Sequence, residues 1–286
     1  MRRLFAVAAA VMLSVVVTAG GVSAEPKGSL KIAGSTTVLP LSQIWAESFM
    51  MKYPQARISV SGGGSGTGIS MLMNGTCNVA NASRAATKKE IDTARSRNSK
   101  LVETKLAKDG LAIVVNSSNN VKNLTMAQLQ GIYSGKIDNW KEVGGDSGRG
   151  IVAVGRDTSS GTYGFFQEAV LKGGSYLKGM LSMPSNAAIV QAVSQSKDAI
   201  GYVGIAYAEK AAEQGKVDVL SISRKKGQRG QRPTRQAIDN NTYPLFRYLY
   251  VYTLGAPKGL AGDFLKYATS SEGQKLVRQS GYEPLK

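Results

Sequence analysis

Histidine is missing from the 286 residues of this chain, and cysteine occurs once, at Cys77. Without an imidazole there is no Ser-His-Asp or Cys-His relay to activate a nucleophile. The usual transition-metal ligand is missing too, so no metal and no other cofactor is expected. A lone cysteine excludes an intrachain disulfide, and stability must come from a packed core that a chain of this length can build. Cys77, between Thr76 and Asn78 and just ahead of an apolar stretch, reads as a small buried thiol. Aromatic residues make up only 7% and are not interleaved with basic ones. That leaves no stacking platform for single-stranded nucleic acid, and no nucleic-acid partner is expected. Acids are scarce as well, 19 against 36 Lys and Arg, for a formal charge of +17. Such a balance favours anionic partners, whether solutes or surfaces.

Long apolar runs are limited to one, from Leu4 to about Thr18, after Arg2 and Arg3 and before the small residues Val22-Ser23-Ala24. A basic start, a short apolar core and an A-x-A-like site describe a secretory signal peptide over residues 1–24. No cysteine lies near the cut, so no lipid anchor is expected. The mature chain, Glu25 to Lys286, reads as exported and soluble, with a charge of +15 once Arg2 and Arg3 are lost from the +17.

From residue 29 onward, short β-like runs alternate with helical patterns. Strands are expected at 29–33, 57–61, 78–82, 101–106, 111–116, 151–155, 200–203, 217–222 and 247–253. Helices are expected at 41–53, 66–74, 88–97, 125–134, 162–171, 187–194, 206–214, 260–268 and 272–279. This alternation argues for an α/β fold with mainly parallel strands. Pro40 marks the start of the first helix, Pro54 its end, and Thr125 with Gln128 fits a capping box. The segment Arg224–Arg235 carries six basic residues and no acid. It reads first as a solvated loop, with docking to a partner or membrane surface as the alternative.

Three strand-to-helix turns share one chemistry. Ser59–Ile69 (SVSGGGSGTGI) clears away side chains around Ser65 and Thr67. Gly34 is followed by Ser35, Thr36 and Thr37, and the third turn carries Arg156, Ser159, Ser160, Gly161 and Thr162. Helix starts present unpaired N–H groups and a partial positive charge, so glycine and hydroxyl residues there suit an anion. The P-loop and dinucleotide spacings both fail on the second turn. In an open α/β sheet, ligands sit beyond the carboxyl ends of the strands, where all three turns can converge. Arg156 adds a guanidinium able to fork onto an oxyanion. Two more charges, Arg84 and Asp109, fall at strand ends. A carboxylate in an anion site is useful when the anion carries a proton, so Asp109 is expected to accept that proton's hydrogen bond, with Arg84 offsetting its charge. A fully ionised sulfate would leave that carboxylate unpaired and repelled.

At these residues the chain resembles the periplasmic phosphate-binding proteins of ABC phosphate importers. The resembling segments are GSTTVLP (34–40), SGGGSGTGI (61–69), ANASRA (80–85), DGLAIVVN (109–116), LQGIYSGKIDNW (129–140), GRDTSSGT (155–162) and YPLFRYLYVYT (243–253). The resemblance implies a two-lobed, type II periplasmic-binding fold of α/β class, each lobe a mixed, mostly parallel sheet flanked by helices. It implies phosphate contacts from Ser35 and Thr36, with Thr37 a weaker candidate, from Ser65, and from Arg156, Ser160, Gly161 and Thr162. Some members carry Asp where this chain has Arg84 and lack an acid at Asp109, so the two charges look exchanged between neighbouring strands. The lobes are expected at 25–115 with 219–286, and at 116–218. Partners implied are inorganic phosphate and the membrane permease subunits of an ABC transporter, for a monomer in the periplasm.

Other readings stay open at this stage. The same fold could take sulfate, molybdate or tungstate. An exported phosphoester hydrolase would use Ser65 or Ser160 as nucleophile and Lys108 as base. An adaptor would rest on Arg224–Arg235 alone.

Overall fold

The structure, a computed structural model, describes residues 25–146 and 148–285; the segment read as an export signal lies outside the described residues. Strand β1 (Gly28–Gly34) leads into α1 (Leu39–Lys52), β2 (Ala56–Gly63) into α2 (Ser65–Met73), and β3 (Val79–Ala82) towards α3 (Lys88–Ser96). A long strand, β4 (Leu101–Asn116), leaves this unit for a second one. There follow β5 (Asn123–Thr125), α4 (Met126–Ser134), a 3-10 turn at Trp140–Val143, β6 (Val152–Arg156), α5 (Gly161–Ala169), β7 (Leu181–Met183) and α6 (Asn186–Gln195). Then come β8 (Ala199–Gly204), α7 (Ile205–Glu213), β9 (Val217–Val219), β10 (Ser221–Ser223) and α8 (Arg235–Asp239). Strand β11 (Phe246–Leu254) returns to the first unit, which α9 (Gly259–Ala268) and α10 (Ser271–Gln279) complete.

Local chemistry sets many of these boundaries. Thr125 accepts from the Gln128 amide while the Gln128 side chain accepts from the Thr125 amide, so the expected capping box starts α4. Pro40 sits inside the first turn of α1 rather than ahead of it, where a missing N–H costs nothing. That helix buries Leu41, Trp45 and Phe49, one face at four-residue spacing.

The strands form one nine-stranded sheet in the order β2-β1-β3-β11-β4-β8-β6-β7, with β9 on the far part of β4. Within each unit the inner pairs are parallel: β1 with β2 and β3, and β6 with β7 and β8. The crossing strands β4 and β11 run antiparallel to each other and to the strands beside them. Their register sets Arg247 opposite Asp109.

Packing changes sides along the crossing strands. Leu106 and Ala107 belong to the core under α1, whereas Leu111, Ile113 and Val115 belong to the core of the second unit. On the way back, Tyr243 and Leu245 still pack in the second core and Leu249 in the first. The expected divisions at 115/116 and 218/219 therefore miss where the packing turns over. The first comes several residues late, and the second comes too early because Leu220, Ile222 and Ala237 fill the second core.

Two further segments show how long-range pairing acts on the chain. The separate strands expected at 101–106 and 111–116 are one strand, because pairing to β11 runs unbroken through Lys108-Asp109-Gly110. The residues of Arg224–Arg235 are mostly exposed, but Pro233 is buried and Ile222 pairs with Gln231 across the segment's neck.

Candidate functional site

The carboxyl ends of β1, β2, β3, β6 and β8 point into the seam between the two units, and short turns there deliver the polar side chains. Gly64 takes φ +104, which L side chains rarely adopt, and its amide donates to the Gly34 carbonyl. A Cβ on Gly64 would lie 2.6 Å from Ser159 Oγ, across the seam. At Gly161 a Cβ would lie 2.1 Å from Ser65 Oγ and 2.7 Å from Ser83 Oγ. Glycine is present at both because the helix starts of α2 and α5, one from each unit, meet almost backbone to backbone. The turn after β1 adds the start of α1, so three helix N-termini share the place.

Around this point the polar side chains are buried. Arg156, at the end of β6, is 1% exposed; its Nε donates to Met183 O, its Nη2 to Pro184 O and its Nη1 to Thr36 Oγ1 at 3.0 Å. Burial lowers its pKa from the usual guanidinium value, while Asp157, 3.7 Å from Nη2, works in the other direction. Ser35 Oγ accepts from the amides of Thr37 and Val38. Ser160 caps α5, its Oγ accepting from the amides of Thr162 and Tyr163. Ser65 Oγ accepts from the Ser83 amide at 3.0 Å, and Thr37 Oγ1 lies 3.1 Å from Thr162 Oγ1.

Asp109 is fully buried. Both Nε and Nη2 of Arg247 lie 2.7 Å from its Oδ2, and the Ile205 amide donates to Oδ1 at 3.2 Å. Burial raises the Asp109 carboxyl above its usual range, against the pull of the Arg247 charge. Arg247 continues into the site: Nη1 donates to Thr162 Oγ1 at 3.0 Å and to Ser83 O, and Nη2 to Thr37 Oγ1.

Of the residues expected from sequence, the fold brings together Ser35, Thr36, Ser65, Asp109, Arg156, Ser160, Gly161 and Thr162. Arg84 is a correction. Its Nη1 and Nη2 are both spent on the Glu90 carboxylate at 2.8 Å, inside the capping box of α3, so the charge that offsets Asp109 is Arg247. Sequence reasoning passed over Arg247 although its strand was singled out, because nothing local says which of its neighbours β11 will lie against. It also passed over Asn186, whose Nδ2 donates at 3.2 Å to both Thr36 Oγ1 and Thr37 Oγ1. Asn186 is the first residue of an ordinary Ser-capped helix, and no local signal marks it.

Two lobes joined by a pair of crossing strands, with helix starts converging on a buried polar seam, define a bilobal solute-binding protein. The model of the PBP superfamily domain matches residues 21–272. The phosphate-binding protein PstS of Pseudomonas aeruginosa is 36% identical over 283 residues, covering 93% of this chain and 85% of that protein. PstS of Bacillus subtilis is 36% identical over 262 residues, covering 91% and 82%. Among solved structures, a phosphate ABC transporter substrate-binding protein with bound phosphate from Clostridium perfringens superposes with a TM-score of 0.80 at 30% identity, covering 91% of this chain and 100% of that one. An ABC-type phosphate transport receptor from Vibrio cholerae gives 0.69 at 32% identity, covering 89% and 99%. The chain belongs to the PBP superfamily and, within it, to the family of PstS phosphate-binding proteins.

Proposed function

We infer that this protein is an extracytoplasmic solute-binding protein. It captures inorganic phosphate between its lobes and hands it to the permease subunits of an ABC importer. The observation that carries this reading is the convergence, at one buried point, of three helix N-termini, a ring of Ser and Thr hydroxyls and the Arg156 guanidinium. Nothing but a small, compact anion uses such a shell fully: the amides supply fixed partial positive charge and Arg156 a whole one. The named function of the relatives selects phosphate among such anions.

Ser35, Thr36, Ser65, Arg156, Ser160, Gly161 and Thr162 are the contacts proposed for the ligand. Arg84 is left out because Glu90 holds it. The protein acts as a monomer in the periplasm, free of a lipid anchor, and binds without turning its ligand over. Ser160 and Ser65 face no imidazole, and the Lys108 ammonium, the base a hydrolase would need, is held by Asp239 at 2.7 Å. Isothermal titration with phosphate, sulfate and molybdate tests the reading. Heat on adding phosphate, with sulfate and molybdate much weaker, is expected; preference for either of the other two assigns the site to a different oxyanion. Turnover of a chromogenic phosphate ester above that of a Ser160→Ala control would overturn the binding-only view.

A further inference from the structure

Phosphate capture leaves the segment Arg224–Arg235 of the second lobe without a task. It holds six bases and no acid, and all six are exposed. Its foot is firmly built. The Ile222 amide donates to Gln231 O at 2.8 Å, and the Gln231 amide donates back to Ile222 O at 2.9 Å. A Cβ on Gly230 would lie 1.9 Å from Asn123 Oδ1, so the neck is pressed against β5. Pro233 is buried, and Thr234 caps α8 by accepting from the Ala237 amide at 3.2 Å. The tip folds back on itself: the Gln228 amide donates to Lys225 O, and Gly227 takes φ +81. Elsewhere the few acids of the chain are spent on ion pairs, Lys52 with Glu272 at 2.6 Å, Lys88 with Asp92 at 2.7 Å and Arg149 with Asp198 at 2.9 Å. At the foot, Arg235 lies 3.7 Å from Glu283, and Arg232 shares a cavity of about 410 Å³ with Glu209 and Glu213 of α7. The tip bases Arg224, Lys225, Lys226 and Arg229 have no acid within 4.0 Å among the described residues. Four cations on a fixed base repel one another, and the fold supplies nothing to offset them.

We propose that this tip docks the protein on an anionic phospholipid surface, held by charge alone. A protein partner would call for an apolar or aromatic centre, where binding energy concentrates. The segment has no aromatic residue, and its one apolar ring, Pro233, is buried. The exposed large apolar side chains, Met51, Leu181 and Leu254, lie on α1, β7 and β11. The same lack rules out insertion into the bilayer, which needs an apolar face. A cluster of four or more Lys and Arg suits headgroup phosphates, which present charge without a shape to match. The position of the foot fits such docking. Ile238 and Pro233 lie 2.8 and 3.3 Å from where a Cβ on Gly110 would be, so the segment stands beside the crossing strand β4. A protein held there keeps both lobes free to close. Docking of this kind does not depend on which anion the seam takes.

The test is co-sedimentation with vesicles of phosphatidylcholine, alone or with phosphatidylglycerol added, at low and at physiological salt. The chain from Glu25 is used, so that the apolar run from Leu4 contributes nothing. One variant combines Arg224→Gln, Lys225→Gln, Lys226→Gln and Arg229→Gln. A second removes the same charge from the first lobe through Lys27→Gln, Lys89→Gln, Lys258→Gln and Lys275→Gln, all exposed positions. The native chain should bind vesicles containing phosphatidylglycerol, ignore phosphatidylcholine and let go as salt rises. The tip variant should bind more weakly by roughly fivefold for each charge removed, several hundredfold for the four. The first-lobe variant should bind almost as the native chain does. Isothermal titration with phosphate should give the same affinity in all three, which shows that each is folded. Native binding that ignores the phosphatidylglycerol content overturns the proposal and leaves the segment to an acidic protein surface. Equal losses in the two variants overturn it as well, because the attraction then belongs to net charge and not to the tip. Either result leaves phosphate capture standing.

Discussion

Arg156 illustrates how a charge is held ready for a ligand. All three of its nitrogens already have acceptors, two of these being the main-chain carbonyls of Met183, at the end of β7, and of Pro184, so its guanidinium cannot swing away. Preorganisation of this kind spares the ligand the cost of ordering a long side chain. Arg156→Met should therefore weaken phosphate binding by roughly 2–5 kcal/mol, the usual range when one partner of a buried charge pair is truncated. Isothermal titration reads that loss directly, and an unchanged affinity would remove Arg156 from the site. Gly161 makes the complementary case, where the absence of a side chain matters. A methyl there lies inside contact distance of Ser65 Oγ, so Gly161→Ala must push α5 away from α2. Binding should suffer more than folding, since the clash is between lobes rather than within a core. Cys77 is a residue with no part in the site. It is 5% exposed and burial pushes its thiol up to about 11, so alkylation at neutral pH should be slow in the folded chain and fast once guanidinium unfolds it.

At the scale of elements, the helix starts do two jobs at once. Ser160 satisfies two amides of α5 and belongs to the ligand shell, so Ser160→Ala should cost about 1 kcal/mol of stability as a lost cap. It should also weaken phosphate binding, a pairing that denaturant titration and calorimetry can measure separately. The α3 cap behaves differently. Burial opposes ionisation of Glu90, yet Arg84 and the Thr87 amide outweigh it and hold the carboxyl below its ordinary value of 4.5. A carboxyl with a lowered folded-state pKa adds stability above the unfolded value, and that stability is lost as pH falls through the folded value. Glu90→Gln should therefore lower stability near neutrality and flatten the decline below pH 4.5, so that the two chains converge in acid.

Elements also show what the sequence alone makes legible. The strand-turn-helix repeats around Ser35, Ser65 and Ser160 could be placed because glycine, hydroxyl and hydrophobic spacing are local signals. The capping box at Thr125 was legible for the same reason. Lys108-Asp109-Gly110 reads as a break, but β11 lies alongside and keeps the backbone extended, a long-range pairing that local composition does not encode. Arg84 and Arg247 show the same limit for charge. Each is an arginine on or just after a strand, and only the fold decides that the first turns to Glu90 and the second to Asp109.

On the scale of the whole molecule, β4 and β11 are the two covalent links between the lobes, and the Asp109–Arg247 pair lies across them where the packing changes over. Two adjacent crossings let one lobe rotate against the other while each core stays intact, which suits closure on a ligand. The contacts across the seam are polar and few beside those within each core: Arg156 to Thr36, Thr37 to Thr162, Gly66 to Ser159. A ligand that fills the shell adds bonds to both lobes and so binds the closed form in preference to the unfolded chain. At a phosphate concentration of a hundred times Kd this linkage amounts to about 2.7 kcal/mol. For a chain of this size that should raise Tm by roughly 5–10 °C. The rise should keep growing with the logarithm of phosphate concentration rather than level off, because mass action continues after the site is full. In Gly161→Ala the same titration should give little shift. The lobes then cannot meet, although the cores that set the unliganded Tm are untouched. A full shift in that variant would mean that phosphate stabilises one lobe alone and that closure has no part in holding it.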